Sequence, residues 1–277
     1  MQVITTYFNP CGYKSKLKNY NTFRNSIEKV GAKLLTIEMS NYESNFQIKD
    51  SIKFKGDCFL WQKENLIAKG MDIIEEDIFA WIDCDIIFED DNWIEKTIES
   101  LKTNEIVQMF RNVTFLNPDG REDKKFKSMF SEFYHNPLFA KGYPNQGHPG
   151  FAFAGRKDKI SFYKGFILSD DVVFCSSLTH DYWIIKSWDV KDEIKNDIIN
   201  WCESIKNIRF SFVDLNIKHL WHGSWKNRQY NSRMKLINKH SNKIKTKNGL
   251  NFCDDKETIE DLMNFFSQRK EDLIMFI

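Results

Sequence analysis

The chain has 277 residues, of which 42% are hydrophobic and 15% aromatic. This is enough apolar material for one large domain, and it excludes an intrinsically disordered chain. Forty basic and 39 acidic residues give a formal net charge of +1, so nothing points to a nucleic acid or a membrane surface as an obligatory partner.

The beginning of the chain and the cysteines bear on the expected compartment. The opening stretch "MQVITTYFNP" has no basic region followed by an apolar one, so no secretory signal is predicted. No apolar run approaches the roughly 20 residues of a membrane-spanning helix. The six cysteines are scattered without a CxxC pair, which favours reduced thiols over disulfides. We therefore expect a cytoplasmic protein without a transmembrane segment.

The first elements predict a parallel sheet. "VITTYF" (Val3–Phe8) has the pattern of a strand and is followed by the turn cluster "NPCG". Apolar residues then recur at helical spacing up to Gly31, after which "AKLLTIEM" predicts a second strand. A strand, a helix and a strand within about 40 residues indicate a βαβ unit.

The next segments continue the alternation. "FLWQKENLIAKGMDII" is predicted to be helical and "FAWIDCDIIF" to be a third strand. Asp90 or Asp91 is the expected N-cap of a helix with an apolar stripe of Ile94, Ile98 and Leu101. "EIVQMFRNVTFL" is a strand candidate, and the polar "NPDGREDKKFKS" is expected to be a loop.

The second half is richer in glycine and proline. "FAFAG" predicts a strand and "KISFYKGF" a helix, with further helices at 181–188 and 192–207. "RFSFVDLNIKHLWHG" has strand character, a basic segment spans 226–247, and the last helix contains Ile259, Leu262, Met263, Phe266 and Leu273. No internal repeat or linker is evident, so a single domain of residues 1–277 is predicted.

Two carboxylates stand in an otherwise apolar stretch. In a strand, Asp83 and Asp85 would point to the same face, with Cys84 on the other. Such close like charges repel unless a cation or a network of donors lies between them. The carboxyl ends of strands are where open α/β sheets bind ligands, and oxygen ligands suit Mg²⁺ or Mn²⁺. Without such a ligand, the pair would be solvated carboxylates at a strand end.

These motifs resemble those of GT-A glycosyltransferases, which transfer sugars from nucleotide sugars. "WIDCDIIF" is similar to the Asp-x-Asp motif of that family, and "YFNPCGYKSKLKNY" lies where its nucleotide pocket begins. "GHPGFAFAGRKDKISFYKGF" with "LTHDYWI" is similar to the C-terminal galactosyltransferase module, although "LTHD" replaces Gly-Gly-Glu-Asp. The resemblance covers about two thirds of the chain and depends on the shared order of short motifs.

The resemblance implies a mixed, mainly parallel α/β sheet flanked by helices. It also implies a nucleotide-sugar half (1–117), an acceptor and catalytic half (118–250) and a C-terminal helix (251–277). Asp83 would contact the donor ribose and, with Asp85, a Mn²⁺ or Mg²⁺ ion that stabilises the departing diphosphate of a UDP-sugar. Asp181 would be the general base for an acceptor hydroxyl, giving inversion; if it only positions the substrate, a retaining mechanism stays open. Its alternative role is an N-cap.

A late histidine is implied as a further metal ligand. His219 and His222 are the candidates; in a strand their spacing would point them to opposite sides, and Gly223 favours His222. Lys226, Arg228 and Arg233 could clamp phosphate oxygens.

The fold analogy also suggests residues around the nucleotide and the acceptor. The nucleobase and ribose candidates are Thr5, Tyr7, Asn9 and Glu38, and the diphosphate candidates are Arg24 and Lys63. The acceptor or sugar candidates are Gly147, His148, Gly150 and His180, with stacking from Trp183, Trp221 or Trp225. Core packing is the alternative for each tryptophan.

Three other functions remain open. A sugar nucleotidyltransferase also uses paired carboxylates, but "NPCGYKSK" has a single glycine where a Gly-rich phosphate loop would be expected. A binding protein for a glycan or nucleotide could retain the fold without turnover. A nucleic-acid acceptor would account for the basic segment 226–247, but it fits the neutral charge less well.

Overall fold

The computed structural model of the chain describes residues 1–42, 45–56, 59–136 and 147–272. The strands are Gln2–Phe8 (β1), Lys33–Ser40 (β2), Ile52–Lys55 (β3), Ile78–Ile82 (β4), Ile86–Phe88 (β5), Ile106–Gln108 (β6), Asn112–Leu116 (β7), Glu122–Lys127 (β8), Ala152–Arg156 (β9), Phe210–Phe212 (β10), Asn216–His219 (β11), Lys245–Lys247 (β12) and Leu250–Phe252 (β13). The α-helices are Lys14–Lys29 (α1), Lys63–Ile73 (α2), Trp93–Ser100 (α3), Met129–His135 (α4), Asp170–Thr179 (α5), Trp183–Ser187 (α6), Asp192–Ser204 (α7), Tyr230–His240 (α8) and Lys256–Ser267 (α9). In these ranges, none of the helices has the length and apolar character needed to cross a bilayer.

A mixed, mainly parallel sheet forms the centre of the fold. Its strand order is β10-β6-β9-β4-β1-β2-β3, and β9 runs antiparallel to both of its neighbours. Successive residues of β1 point to opposite faces: Val3 packs with Phe23 of α1, and Ile4 packs in the cluster of Leu66 from α2. Both faces of the sheet are therefore covered by helices. The predicted α/β architecture and the initial βαβ unit are confirmed.

A smaller sheet leads away from the centre in the order β5-β11-β7-β8. Strand β5 pairs antiparallel with β11, and β11 pairs parallel with β7. The register places His219, the last residue of β11, opposite Ile86. Residues separated by more than 130 positions thus meet just beyond the carboxyl end of β4.

Several predicted elements are divided between the two sheets. "FAWIDCDIIF" is not one strand: β4 ends at Ile82, a turn follows, and β5 belongs to the smaller sheet. "EIVQMFRNVTFL" similarly separates into β6 and β7. Apolar runs do not reveal such breaks, because both halves are buried strands.

Other predictions on secondary structure were wrong. The polar segment expected to be a loop contains β8, an exposed edge strand whose charged residues oppose pairing with a strand of another chain. "KISFYKGF" is not a helix: the 3₁₀ turn Lys157–Lys159 ends at its first residue, and residues 160–166 are irregular. The N-cap of α3 is Asn92, and Asp90 instead accepts a hydrogen bond from the Asn92 N–H. Leu273 of the predicted last helix lies outside the described residues, and the division of the chain at 117 and 250 stays a prediction.

Candidate active site

A cavity of about 490 Å³ opens at the carboxyl ends of the central strands. Its floor is the turn after β4, and its walls are the end of β11, the segment 147–151, the start of α5 and the end of α9. The size is that of a pocket for a small organic ligand, and the position is where open α/β sheets bind ligands.

Asp83 and Asp85 stand in the turn that links the two sheets. The Asp83 N–H donates to the Phe151 carbonyl at 2.7 Å, and the Ile86 N–H closes the turn on the Asp83 carbonyl at 3.2 Å. The Asp85 carbonyl accepts from the N–H of Leu220 at 2.9 Å. The prediction that the two carboxylates share one face of a strand is therefore wrong. A turn brings both of them to the cavity.

The side chains of Asp85, His219 and His222 converge in this cavity. The two Nε2 atoms are 3.2 Å apart, and Asp85 Oδ2 lies 3.8 Å from that of His219 and 3.5 Å from that of His222. Because the chain leaves β11 after His219, the i, i+3 spacing does not separate the histidines as it would in a strand. The prediction that they point to opposite sides is wrong, since both ring nitrogens face Asp85.

Burial makes these histidines neutral ligand donors. Burial, reinforced by the charge of Arg228, lowers the pKa of His219 and of His222 well below the ordinary value. Phe115 and Phe151 pack on the His219 ring at centroid distances of 4.6 and 4.9 Å. Phe151 itself adopts φ = 89°, an unusual conformation for a non-glycine residue that is often found at functional sites.

The donor set fits a divalent cation. Two neutral imidazoles and a carboxylate are common ligands of divalent metals, and donor atoms 3.2–3.8 Å apart can surround one ion bound at about 2.1 Å. Burial and the Asp83 carboxylate raise the pKa of Asp85 to about 7. A cation here would hold Asp85 in its ionised form.

A buried lysine occupies the other side of the floor. Lys63 Nζ lies 2.6 Å from Asp171 Oδ1, 3.2 Å from Asp83 Oδ1 and 3.7 Å from Glu64 Oε1. Burial by itself would lower the pKa of Lys63, but the three carboxylates outweigh it and raise the pKa well above the ordinary value. Asp83 thus forms an ion pair with Lys63. In the described residues it is not part of the cluster of possible metal ligands, in contrast to the prediction that it binds the metal with Asp85.

Arg228 is a buried cation beside the two histidines. It is the last residue of the 3₁₀ turn Trp225–Arg228, is 6% exposed, and stacks on Trp225 and Phe115 with its guanidinium carbon 4.7 and 5.7 Å from the ring centres. Its Nε has no hydrogen-bond partner, and no carboxylate lies within 4 Å of it, among the residues that the structure describes. A buried, positively charged group that no carboxylate contacts directly is suited to a bound anion.

The segment predicted to bind the acceptor forms part of the wall. Gly147 and His148 line the cavity. Gly150 lies behind Asp171, which also lines the cavity: a Cβ on Gly150 would lie 2.8 Å from Asp171 Oδ2. His148 stacks on Phe151 at 4.0 Å, and its Nδ1 accepts from the Gly150 N–H at 3.2 Å. Burial, together with nearby Arg228 and Lys63, lowers the pKa of His148 to about 3.

The four nucleobase and ribose candidates are engaged in the protein interior and do not line the cavity. The Thr5 hydroxyl donates to the Ile82 carbonyl at 2.7 Å. Tyr7 and Asn9 both donate to Gln47. Glu38 accepts hydrogen bonds from the Gln47 and Ile48 N–H groups and from the Ser51 hydroxyl. These residues shape the loop after β2, and the structure brings none of them to the cavity.

Three other predicted site residues lie away from it. Asp181 Oδ1 accepts from the Trp183 N–H at 3.1 Å, near the start of α6. His180 is exposed and contacts Tyr182, and Lys226 is exposed on the 3₁₀ turn that ends at Arg228. None of the three lines the cavity.

The remaining candidates divide in the same way. Arg233 lines the cavity and donates to the Leu168 carbonyl at 2.7 Å, and Trp225 lines it as well. Arg24 pairs with Glu28 on the surface, Trp183 is 52% exposed, and Trp221 is outside the lining.

Sequence reasoning missed Asp171. It follows Asp170 at the start of α5, which was not predicted as a helix, and its side chain faces the cavity. The stretch "SDDVVF" carries the signal of a helix start, a serine followed by acidic residues. This signal alone does not distinguish a cap from a site residue.

No protein-family model matches this chain, and no curated protein is similar to it. Several solved structures share part of its fold at low sequence identity. Glucosyl-3-phosphoglycerate synthase from Mycobacterium tuberculosis in complex with Mg²⁺ and UDP is 12% identical, with a TM-score of 0.43 over 87% of this chain and 78% of that one. S. aureus TarS is 10% identical, with a TM-score of 0.42 over 98% and 72%.

A further match is the bifunctional IspDF from Campylobacter jejuni, with 9% identity and a TM-score of 0.36 over 77% of this chain; the aligned region spans about half, 49%, of that protein. The synthase and TarS are glycosyltransferases of the GT-A type that the motifs resemble. Because these TM-scores are below 0.5, the function proposed below depends on the geometry of the cavity.

Proposed function

We propose that the chain is a metal-dependent glycosyltransferase that moves a sugar from a nucleoside-diphosphate sugar, with UDP as the expected nucleotide, to a hydroxyl acceptor. The observation that carries the proposal is the cluster of Asp85, His219 and His222 beside the buried guanidinium of Arg228, whose Nε has no hydrogen-bond partner among the described residues. A divalent cation and an arginine on one wall of a cavity are suited to a diphosphate.

Asp85, His219 and His222 would hold the cation. When bound, a divalent cation supplies Lewis-acid stabilisation of the negative charge that develops on a departing diphosphate. Two imidazole nitrogens favour Mn²⁺ or another transition metal over Mg²⁺, which prefers oxygen ligands. Of the two ions expected from the sequence, Mn²⁺ therefore fits these ligands better than Mg²⁺.

Arg228 would bind the diphosphate from the side of the histidines. Its stacking on Trp225 and Phe115 fixes the plane of the guanidinium, so little side-chain freedom remains to be lost on binding. Arg233 lines the same cavity and would add a second positive charge.

Asp171 is better placed than Asp181 to act as the general base. One of its carboxylate oxygens accepts from Lys63 and the other faces Gly150, in the segment expected to hold the acceptor. In the reaction proposed, the acceptor oxygen forms a bond to the anomeric carbon as the bond from that carbon to the diphosphate breaks. The acceptor proton passes to Asp171, and the anomeric configuration inverts.

The test is a thermal-shift panel of nucleotides and nucleotide sugars with Mn²⁺, with Mg²⁺ and with EDTA. We expect stabilisation by UDP or a UDP-sugar that requires Mn²⁺, is lost with EDTA and is lost in Asp85→Asn. Stabilisation by another nucleotide would replace the donor. Metal-independent binding without turnover would favour a binding protein, and release of pyrophosphate from a sugar phosphate and a nucleoside triphosphate would favour a nucleotidyltransferase.

A further inference from the structure

Two buried polar atoms face each other behind the metal cluster. His222 Nδ1 and Glu271 Oε2 are 4.0 Å apart, and neither has a hydrogen-bond partner among the described residues. The Glu271 side chain is 2% exposed. A buried carboxylate oxygen without a hydrogen bond costs free energy, so its position calls for an explanation.

Glu271 is held in this position from several directions. Its Oε1 pairs with Arg269 Nε at 2.6 Å, and Lys16 Nζ lies 3.6 Å from its Oε2. Its backbone carbonyl accepts from the Ser15 hydroxyl at 2.8 Å. Gly223 directly follows His222 with φ = 101°, and a Cβ there would lie 3.3 Å from the Glu271 Cα. The close approach of the two segments therefore requires glycine at this position.

We infer that Glu271 is a positioning residue that orients His222 toward the metal, an inference that rests on the proposed function. With Nε2 of His222 directed at the cation, Nδ1 carries the proton and faces the Glu271 carboxylate, and a small movement of either side chain would close the 4.0 Å separation to a hydrogen bond. A histidine ligand that donates its other N–H to a carboxylate is fixed in its tautomer and orientation and is a stronger ligand.

The C-terminal segment is attached to the start of the first helix. Asp272 accepts from the N–H groups of Lys14 and Ser15 at 3.1 and 2.8 Å, so the segment after α9 is attached to the start of α1. This attachment places Glu271 behind His222. Asp272 shares the structural role of the segment but does not contact the histidine, and it provides a matched control.

The experiment compares Mn²⁺ binding to the protein without nucleotide by titration calorimetry in Glu271→Ala, Glu271→Gln and Asp272→Asn. We expect Glu271→Ala to lower the affinity about 10- to 100-fold, the range for loss of such a partner. Glu271→Gln keeps an acceptor oxygen and should bind with intermediate affinity, and Asp272→Asn should bind as the parent does. In the Zn²⁺-loaded parent, the His222 Nδ1 proton should resonate downfield and exchange slowly; in Glu271→Ala it should do neither.

The outcomes separate the inference from the proposed function. Parental affinity in both Glu271 variants overturns the inference, as does an equal loss in Asp272→Asn, which would assign the effect to the docking of the segment. If Asp85→Asn and His222→Ala also bind Mn²⁺ normally, the metal site fails and the proposed function with it. If these two variants lose the metal while the Glu271 variants keep it, only the role of Glu271 is wrong. Should Glu271→Ala not fold, Glu271→Gln decides by the same criteria.

Discussion

The ammonium group of Lys63 donates a 2.6 Å hydrogen bond to Asp171, joining the first residue of α2 to the start of α5 across 108 positions of the chain. The same nitrogen lies 3.2 Å from Asp83. One buried cation thus fixes a carboxylate on each side of the cavity floor, and its removal would leave neighbouring carboxylates facing each other in a region of low polarity.

Replacing Lys63 should therefore destabilise the fold. We expect Lys63→Met to lower the free energy of unfolding by about 3–5 kcal/mol, as for other buried ion pairs that lose one partner, measured by urea denaturation. The double variant Lys63→Met/Asp171→Asn should recover part of this loss because one uncompensated charge is removed. Lys69→Met on the same helix is the control, and an equal effect there would contradict the role of the ion network.

Arg228 and Lys226 provide a contrast between a buried and an exposed cation of one turn. We expect Arg228→Met to weaken UDP binding in the presence of Mn²⁺ by about 1.5–3 kcal/mol, the contribution of a hydrogen bond to a charged group. Arg228→Lys should recover only part of it, since lysine lacks the planar fork. Lys226→Met should bind as the parent does. Calorimetric titration measures all three, and a loss confined to the Lys226 variant would restore that residue to the site.

Replacing the two glycines of the predicted acceptor segment, Gly147 and Gly150, should have different effects on stability and activity. A Cβ on Gly150 would meet the Asp171 side chain at 2.8 Å, whereas one on Gly147 would lie 2.5 Å from the Ser128 carbonyl and the Met129 Cα. We expect Gly150→Ala to fold and to lose transferase activity through displacement of Asp171. Gly147→Ala should lower the melting temperature, because backbone cannot move aside as a side chain can. Melting curves and activity assays that show the reverse pattern would contradict this assignment.

The neutral state of His148 predicts a pH dependence of stability. Its pKa is lowered to about 3 in the folded protein and is about 6.5 in the unfolded chain. Below pH 6.5 the unfolded chain therefore binds a proton that the folded protein does not. The free energy of unfolding falls as the pH falls from 6.5 toward 3, by up to about 1.4 kcal/mol per pH unit from this residue. Denaturation of His148→Gln at several pH values should show a shallower fall; a profile parallel to that of the parent would exclude this contribution.

Much of the fold follows from local patterns. The alternation in Val3–Phe8, the helical spacing that ends at Gly31 and the apolar run before Asp83 predict β1, α1 and β4, because burial of one face imposes a period on the sequence. The Asp-x-Asp pattern at a strand end also indicates the position of the cavity. Local patterns do not predict the turn between β4 and β5, since the buried strands on its two sides have the same apolar composition.

Which individual residues belong to the site could be identified only from the tertiary structure. Asp171 and Asp181 both stand near the start of a helix, and only the path of the chain brings Asp171 to the cavity. Glu38 has the position expected for a ribose ligand, yet three donors from residues 47–51 occupy its carboxylate.

Local patterns in the sequence were enough to predict β1, α1 and β4 and the carboxylates that follow β4, because hydrophobic periodicity and turn chemistry act between near neighbours. The pairing of β11 with β5 brings His219 to Asp85, and the docking of the C-terminal segment brings Glu271 to His222. These contacts arise only when the chain folds, because they depend on the register and direction of segments far apart in the chain, which local patterns do not encode.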